Sequence, residues 1–222
     1  TLMSMMTHRT DFFDRSIKDS LTRNDNPAVQ FVVLGAGYDT RCYDLPDGID
    51  IQCFEVDMLP TLNSKINALK SAGIPHDHVT FVETDFNQET WMDALLTSGF
   101  NPNLTTYILW EGVTVYLVEE AIRDTLNLVS SLPKGSTVGV DFFSADLVEG
   151  NPPYARISKA MHRGLKYYSE TIQFGVATGE SLSKGIEKLL QDSSLTVSRF
   201  EHVGSEEDKL PPWYFLAHID NL

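Results

Sequence analysis

The segment that most restricts the folds open to this chain runs from residue 29 to residue 57. It begins with the apolar, β-rich run VQFVVL at 29–34, which ends abruptly in the glycine-containing turn GAGYDT at 35–40. A second short run, IQCFEV at 51–56, ends at Asp57. A short apolar run bounded by turn residues is typical of a strand that is buried on both faces, as in a parallel sheet. The segment therefore predicts an α/β fold.

The rest of the chain continues the same alternation of strands and helices. Apolar residues at helical spacing predict helices at 59–69, 88–96, 118–129 and 182–190, and further strands are predicted at 79–83, 105–110, 136–141, 195–200 and 213–219. This order predicts a doubly wound, mostly parallel, seven-stranded sheet of Rossmann-like type, with the last two strands forming a terminal hairpin.

The domain organisation follows from the length and from where the alternation loosens. A chain of 222 residues has the size of one α/β domain, so we expect a single domain over 1–222. We expect a helical N-terminal segment at 1–28 and a lid-like insertion at 150–180, where Pro152, Pro153 and several aromatic residues interrupt the pattern. Because the chain begins at Thr1 rather than at a methionine, we also expect a truncated start.

The charge balance restricts the partners of the protein. Acidic residues outnumber basic ones by 31 to 17, which gives a net charge of −14. Such a chain repels phosphate backbones and anionic lipid, so we expect no nucleic-acid and no membrane partner. The two cysteines suggest no disulfide framework, which favours a reducing, cytoplasmic location. The sequence leaves open whether the protein is a monomer or a homodimer.

The glycine turn and the acids after it predict a nucleoside site. Gly35 and Gly37, on either side of Ala36, remove side chains where the backbone turns sharply and approaches a ligand. Glu55 and Asp57 stand at the end of the second strand, where a carboxylate can accept hydrogen bonds from both ribose hydroxyls. In an open parallel sheet these two features meet at the carboxyl edge of the strands.

The charge of the turn distinguishes between two nucleoside cofactors. A dinucleotide site has a third glycine, which lets the helix place its N-terminus on a pyrophosphate. Here that position is Thr40, preceded by Asp39, whose carboxylate competes with a pyrophosphate for the same amides. S-adenosyl-L-methionine has no phosphate and is cationic, so the acids favour it. A NAD(P)-dependent oxidoreductase and a non-catalytic protein that retains the cofactor fold remain the alternatives.

Four ordered motifs resemble those of a known family. They are RTDFFD at 9–14, VLGAGYDTR at 33–41, FEVD at 54–57 and WEGVTVYL at 110–117. In sequence and spacing they resemble the leucine carboxyl methyltransferase family of S-adenosylmethionine-dependent O-methyltransferases, over about residues 8–142. The closing PPWYF at 211–215 is similar to the small-molecule branch rather than to the phosphatase-methylating enzyme. The resemblance implies a class I methyltransferase fold.

The resemblance also implies a set of cofactor-binding residues. They are Arg9 for the methionine carboxylate, the loop Gly35-Ala36-Gly37, Asp57 for the ribose, Asp85 for the adenine amino group, Phe86 over the adenine ring and Glu111 for the cofactor ammonium. Each has the chemistry for its role, because guanidinium pairs with carboxylate and carboxylate pairs with ammonium or hydroxyl.

The expected reaction needs little acid–base chemistry. A carboxylate acceptor, on a small molecule or on a peptide C-terminus, is ionised at neutral pH, so methyl transfer to it requires no strong general base. Alignment and exclusion of water then supply the rate enhancement. Tyr116 is the candidate catalytic residue that contacts the acceptor. The histidines show no metal-ligand spacing, and we expect no metal.

Overall fold

A computed structural model describes residues 2–46, 48–85, 90–166, 170–178, 181–205 and 210–222. It contains a seven-stranded sheet in the order β3-β2-β1-β4-β5-β7-β6. The strands are β1 (Gln30–Leu34), β2 (Gln52–Asp57), β3 (Val79–Glu83), β4 (Thr106–Trp110), β5 (Thr137–Phe143), β6 (Leu195–Ser205) and β7 (Leu210–Asn221). The first five pair in parallel, and β7 is antiparallel to both β5 and β6. The predicted mostly parallel, seven-stranded sheet with a terminal hairpin is confirmed.

The described ranges contain seven α-helices. They are α1 (Leu2–Thr22), α2 (Leu59–Ala72), α3 (Trp91–Thr97), α4 (Glu119–Ser130), α5 (Ala145–Glu149), α6 (Ala155–Lys166) and α7 (Lys184–Leu189). Local sequence sets their ends. Pro60 stands in the first turn of α2, and Gly73 ends that helix with a φ of 66°. The Thr90 hydroxyl caps α3 by accepting a hydrogen bond from the Asp93 amide.

The sheet has an apolar layer on each face. Every residue of β1 and β4 is buried, as predicted for central parallel strands. On one face Phe12 and Phe13 of α1 pack in a cluster with Phe31 of β1. On the other face the α4 stripe Ile122, Leu126 and Val129 packs against the alternate strand residues. The helix α1 therefore lies on the sheet as part of the core. This position brings its polar residues to the carboxyl end of β4.

The terminal hairpin is longer than the sequence pattern predicts. The predicted strands 195–200 and 213–219 correspond to β6 and β7, which extend to Ser205 and from Leu210. The strand β6 lies at the edge of the sheet, so its side chains are only partly buried, and its second half, EHVGS, lacks the apolar alternation that marks a strand. The start of β7 is not predicted either, because Pro211 and Pro212 cannot donate the backbone hydrogen bonds that are typical of a strand.

The segment 150–180 divides into two parts. Its first part contains α6, whose outward face is exposed and basic. Its second part is fixed to the core, because the Val176 amide donates to the Phe143 carbonyl at 2.8 Å and the side chains of Ile172 and Phe174 are buried. Of the aromatic residues of the predicted insertion, Phe174 is therefore a core residue, whereas Tyr167 and Tyr168 lie outside the described residues. Among the described helices, none combines the length and apolar character required to span a bilayer.

Candidate functional site

The glycine turn lies at the carboxyl edge of the sheet, between β1 and β2. The amides of Gly35 and Ala36 both donate to the Val56 carbonyl, at 2.9 and 3.0 Å, which folds the turn over the end of β2. Gly35 has a φ of +68°, and a Cβ atom there would stand 2.4 Å from the Val113 side chain. Only glycine fits this position, because both the backbone conformation and the space exclude a side chain.

Asp57 connects the glycine turn to the start of α2. One of its carboxylate oxygens accepts from the Gly37 amide at 2.8 Å and the other from the Met58 amide at 2.7 Å. The side chain of Asp57 is half-buried, and Met58 beside it is 51% exposed. The structure therefore places Asp57 at the rim of the turn, next to an exposed apolar side chain.

Glu111 follows β4 and lies between two arginines. Its Oε1 is 2.6 Å from Nε of Arg9, and its Oε2 is 2.8 Å from Nη1 of Arg41. The three side chains are 14–20% exposed, so water screens the contacts only in part. The structure thus brings together Arg9 and Glu111, which the sequence places a hundred residues apart, and adds Arg41 to them.

Arg41 joins three parts of the chain around this site. Its guanidinium contacts Asp14 of α1 at 2.7 Å, Asp39 of the glycine turn at 2.5 Å and Glu111 at 2.8 Å. Burial by itself would lower the pKa of Arg41, but the charges of Asp39, Glu111 and Asp14 outweigh it and raise that pKa. Arg41 therefore stays charged and holds α1, the turn and the end of β4 together.

Asp141 of β5 is the buried member of the charged cluster. Its carboxylate accepts from the Gly112 amide at 2.9 and 3.0 Å and from the Tyr214 hydroxyl, and lies 4.0 Å from Arg9. Burial raises the pKa of Asp141 to about 6 against the hydrogen bonds from Tyr214 and Gly112, which lower it. The cluster contains four carboxylates, from Asp14, Asp39, Glu111 and Asp141, and the guanidiniums of Arg9 and Arg41.

Glu55 is not part of this cluster, contrary to the expectation from sequence. Its side chain has no exposed surface, and its carboxylate pairs with Nζ of Lys65 on α2 at 2.6 Å. In sequence, Glu55 and Asp57 look alike as acids at the end of one strand, and only burial decides which of them reaches the edge. The charge of Glu55 also raises the pKa of Tyr43, after burial, which is the larger cause. Glu55 and Lys65 form a buried ion pair within the core.

The remaining predicted residues lie at the same edge or outside the described ranges. Asp85 follows β3 in a half-buried position. Phe86 lies outside the described residues, so its predicted contact with an adenine ring stays a prediction. Tyr116 ends a 3-10 helix (Thr114–Tyr116) after β4 and is half-buried. Burial and then the charge of Glu170 raise the pKa of Tyr116 to about 12, so its hydroxyl keeps its proton at neutral pH.

A cavity of about 490 Å³ opens beside the cluster, between α1 and the chain that follows the glycine turn. It is lined by Thr10, Asp14, Ile17, Lys18, Tyr38, Asp39, Thr40, Arg41, Asp44, Leu45, Pro46 and Glu111. Among the described residues, no group of three or more His, Cys, Asp or Glu side chains has the arrangement of a metal site. The cavity therefore has charged walls of both signs, with Glu111 and Arg41 among them.

Several residues in and around the cluster have no predicted site role, among them Arg41, Asp141 and Tyr214. Arg41 lies within the motif VLGAGYDTR, and Asp141 is the last residue of the predicted strand 136–141. The sequence therefore marks both positions as close to the expected site. Tyr214 lies in the PPWYF segment, but nothing in that segment indicates a partner for its hydroxyl, because an aromatic residue in an apolar strand is typical of the core. The Tyr214 hydroxyl donates to Asp141 because β7 pairs with β5 in the folded sheet.

Comparison with known proteins assigns the family. The leucine carboxyl methyltransferase family model matches residues 1–130. The chain is 31% identical over 203 residues, 88% of its length, to a Bacillus subtilis protein provisionally named as the S-adenosyl-L-methionine-dependent methyltransferase YktD. It is 33% identical over 140 residues, 62% of its length, to a similarly named Mycobacterium tuberculosis protein, Rv0830. It spans 62% and 45% of these two relatives, so it matches about half of their length.

Solved structures of lower identity share the fold. The magnesium protoporphyrin IX methyltransferase of Synechocystis PCC 6803, solved with bound SAH, aligns with a TM-score of 0.57 at 12% identity over 97% of this chain and 84% of its own. A protein of Thermobifida fusca that is provisionally described as a methyltransferase aligns with a TM-score of 0.65 at 14% identity, over 96% and 80% of the two chains. The sheet is thus that of class I methyltransferases, and the chain belongs to the leucine carboxyl methyltransferase family.

Proposed function

We propose that this protein is an S-adenosylmethionine-dependent O-methyltransferase that acts on a carboxylate, of a small metabolite rather than of a protein C-terminus. The observation that carries the proposal is the charge of the cluster at the edge of β1 and β4. Four carboxylates face two guanidiniums there, so the edge has an excess of negative charge and favours a cationic ligand. The names of the curated relatives support the same cofactor.

The chemistry of the side chains fits S-adenosylmethionine better than a dinucleotide. The Asp39 carboxylate accepts from the Arg41 amide at 2.8 Å, at the turn where a dinucleotide site offers free amides to a pyrophosphate. The Asp57 carboxylate likewise accepts a hydrogen bond from the Gly37 amide. Both amides are thus already occupied by carboxylates, which repel a diphosphate. The NAD-dependent alternative therefore receives no support from the geometry of the turn.

Each residue of the edge has a role in this proposal. Asp57 accepts hydrogen bonds from the ribose hydroxyls, and the exposed Met58 beside it offers apolar surface to the base. Glu111 pairs with the ammonium group, and Arg9 with the carboxylate, of the methionine end. Asp85 and Phe86 stay proposed adenine contacts. S-adenosylmethionine, when bound, supplies a methyl group on a sulfonium.

The state of Tyr116 supports a carboxylate acceptor. With a pKa of about 12 its hydroxyl is a hydrogen-bond donor at neutral pH and cannot accept a proton as a base. An ionised carboxylate needs a donor for orientation and no base, whereas an alcohol would need one. The similarity of the PPWYF segment to the small-molecule branch supports a small acceptor.

Calorimetric titration separates the proposal from its alternatives. We expect binding of S-adenosylmethionine and of its demethylated product S-adenosylhomocysteine, and no binding of NAD. Binding of NAD with no binding of either sulfur nucleoside would exclude the proposal in favour of an oxidoreductase. Binding without turnover on any of a panel of carboxylic acids would favour a protein that retains the fold without catalysis.

Substitution Asp57→Ala tests the ribose contact. We expect the dissociation constant for S-adenosylhomocysteine to rise by roughly 5- to 150-fold, because the lost hydrogen bonds leave ribose donors unpaired at about 1–3 kcal/mol. The matched control is Asp44→Ala, which alters another carboxylate near the glycine turn that has no proposed contact with the ribose. Calorimetry measures both variants, and equal affinity of Asp57→Ala and the unaltered protein would refute the ribose assignment.

Substitution Tyr116→Phe tests the acceptor contact. We expect kcat/KM for the acceptor to fall by about tenfold, because one hydrogen bond that orients the reacting oxygen is lost. The affinity for S-adenosylhomocysteine should stay the same, because Tyr116 has no proposed cofactor contact. A lower cofactor affinity with unchanged kcat would place Tyr116 at the cofactor instead of at the acceptor.

A further inference from the structure

Asp141 is a buried carboxylate that the proposed reaction does not use. Only 2% of its surface is exposed, so it cannot contact a ligand directly. Its oxygens nevertheless accept from the Gly112 amide and the Tyr214 hydroxyl and stand 4.0 Å from Nη1 of Arg9. A buried charge is costly to keep unless it is paired and hydrogen-bonded, and these contacts connect it to the residues of the site.

We propose that Asp141 is a positioning residue that orients Glu111 and Arg9 and that makes the site selective for a cationic ligand over a neutral one of the same shape. The inference rests on the proposed function, because it concerns the charge of the cofactor. It extends that function by assigning a role to a residue that cannot touch the ligand.

The loop after β4 shows how Asp141 orients Glu111. Gly112 follows Glu111 directly, has a φ of +73° and donates its amide to both carboxylate oxygens of Asp141. Farther along the same loop, the Thr114 hydroxyl donates to the Asp141 main-chain carbonyl at 2.6 Å. Asp141 therefore holds the loop at two points and fixes the peptide group that joins Glu111 to Gly112.

The charges around Asp141 show how it acts on a ligand. The groups that face it are Arg9 from α1, Glu111 from the end of β4, Tyr116 from the 3-10 helix and Tyr214 from β7. When Asp141 is ionised, the charge of Arg9 is divided between two carboxylates. When Asp141 is protonated, Arg9 is balanced by Glu111 alone, and Glu111 has less negative potential left for a bound cation.

The pKa of Asp141 makes this effect measurable near neutral pH. Burial raises that pKa to about 6, Tyr214 and Gly112 lower it by donating to the charged form, and Glu111 raises it. Asp141 is thus ionised at about pH 7 and protonated at about pH 5. S-adenosylmethionine and S-adenosylhomocysteine differ by one positive charge at the sulfur, so the pair reports on charge at nearly constant shape.

Calorimetry of both nucleosides between about pH 5 and pH 7 tests the proposal. As the pH falls through about 6, we expect the unaltered protein to lose roughly fivefold more affinity for S-adenosylmethionine than for S-adenosylhomocysteine. Asp141→Asn keeps the shape and is expected to show the weaker affinity for S-adenosylmethionine at every pH, with a smaller loss for S-adenosylhomocysteine, whose ammonium group is its only cation. Tyr214→Phe removes a donor to the carboxylate, so the midpoint of the pH profile should move to higher pH. Melting temperatures confirm that each variant is folded.

The outcomes separate an electrostatic role from a merely structural one. If Asp141→Asn weakens the two nucleosides equally, or keeps the pH profile of the unaltered protein, the proposal is overturned. Should Asp141→Asn fail to fold, an unmoved midpoint in Tyr214→Phe overturns it as well. Failure of the unaltered protein to bind either nucleoside would instead contradict the proposed function itself.

Discussion

Substitution of Lys65 by methionine is expected to lower the free energy of unfolding by about 3–5 kcal/mol, the cost of leaving a buried charge without its partner. Lys65 Nζ lies 2.6 Å from Glu55, and the two side chains are 3% and 0% exposed. Methionine fills a similar volume but leaves the Glu55 carboxylate unpaired in the core. For a domain of ordinary stability this loss is a large fraction of the total. Urea unfolding followed by circular dichroism measures it.

The loss is also expected to depend on pH with a definite sign. Burial raises the pKa of Glu55 above its ordinary value, and the charge of Lys65 works against that rise. Without Lys65 the pKa of Glu55 rises further, so the folded variant binds a proton more tightly than its unfolded chain does. The variant should therefore be most stable in mild acid and lose stability as the pH rises through the folded-state pKa of Glu55.

Two further variants isolate the ion pair. Lys70→Met alters an exposed lysine of the same helix and should change the free energy of unfolding by no more than about 0.5 kcal/mol. Combining Lys65→Met with Glu55→Leu removes both charges, so most of the stability should return and the pH dependence should vanish. If Lys65→Met alone is as stable as Lys70→Met, the buried ion pair does not exist in solution.

Substitution Glu111→Gln is expected to weaken S-adenosylmethionine binding by about 10- to 150-fold. The reason is that hydrogen bonds to charged groups contribute about 1.5–3 kcal/mol, and glutamine keeps the shape of the side chain without its charge. Arg9 and Arg41 would also lose the carboxylate that they share, which leaves two cations facing the ligand. Calorimetry gives the dissociation constant.

Glu119→Gln is the matched control for this prediction. Glu119 also pairs with an arginine, Arg123, at 2.7 Å, but both side chains are more than 40% exposed and lie on α4. Such an exposed pair contributes little, so cofactor binding and stability should hardly change. A similar loss of affinity in both variants would mean that net charge, rather than the position of Glu111, governs binding.

The sequence predicts the architecture well because the architecture depends on local patterns. The predicted 79–83 strand coincides with β3, and the predicted 118–129 helix corresponds to α4. The patterns fail where tertiary position decides. The second half of β6 pairs at a half-solvated edge, and residues 172–176 pack into the core although they follow an exposed helix. The periodicity of apolar residues in the sequence does not predict positions that depend on tertiary contacts.

The site is predictable in part, for the same physical reason. Residues at strand ends, such as Asp57 and Glu111, are recognised because parallel strands bring their ends to one edge. Glu55 does not lie at that edge, and an acid inside a strand gives no sign in the sequence of the lysine on the next helix that pairs with it. Sequence alone assigns no role to Arg41 or Asp141, because their roles arise only when α1, β4 and β5 meet around them.

The most direct measurement is a crystal structure of the protein with S-adenosylhomocysteine. The ribose hydroxyls should lie within hydrogen-bond distance of Asp57, and the ammonium group should lie within that distance of Glu111, with Arg9 turned to the carboxylate. Contradiction would come from a nucleoside bound elsewhere, with Asp57 still bonded only to the Gly37 and Met58 amides and Glu111 only to the two arginines.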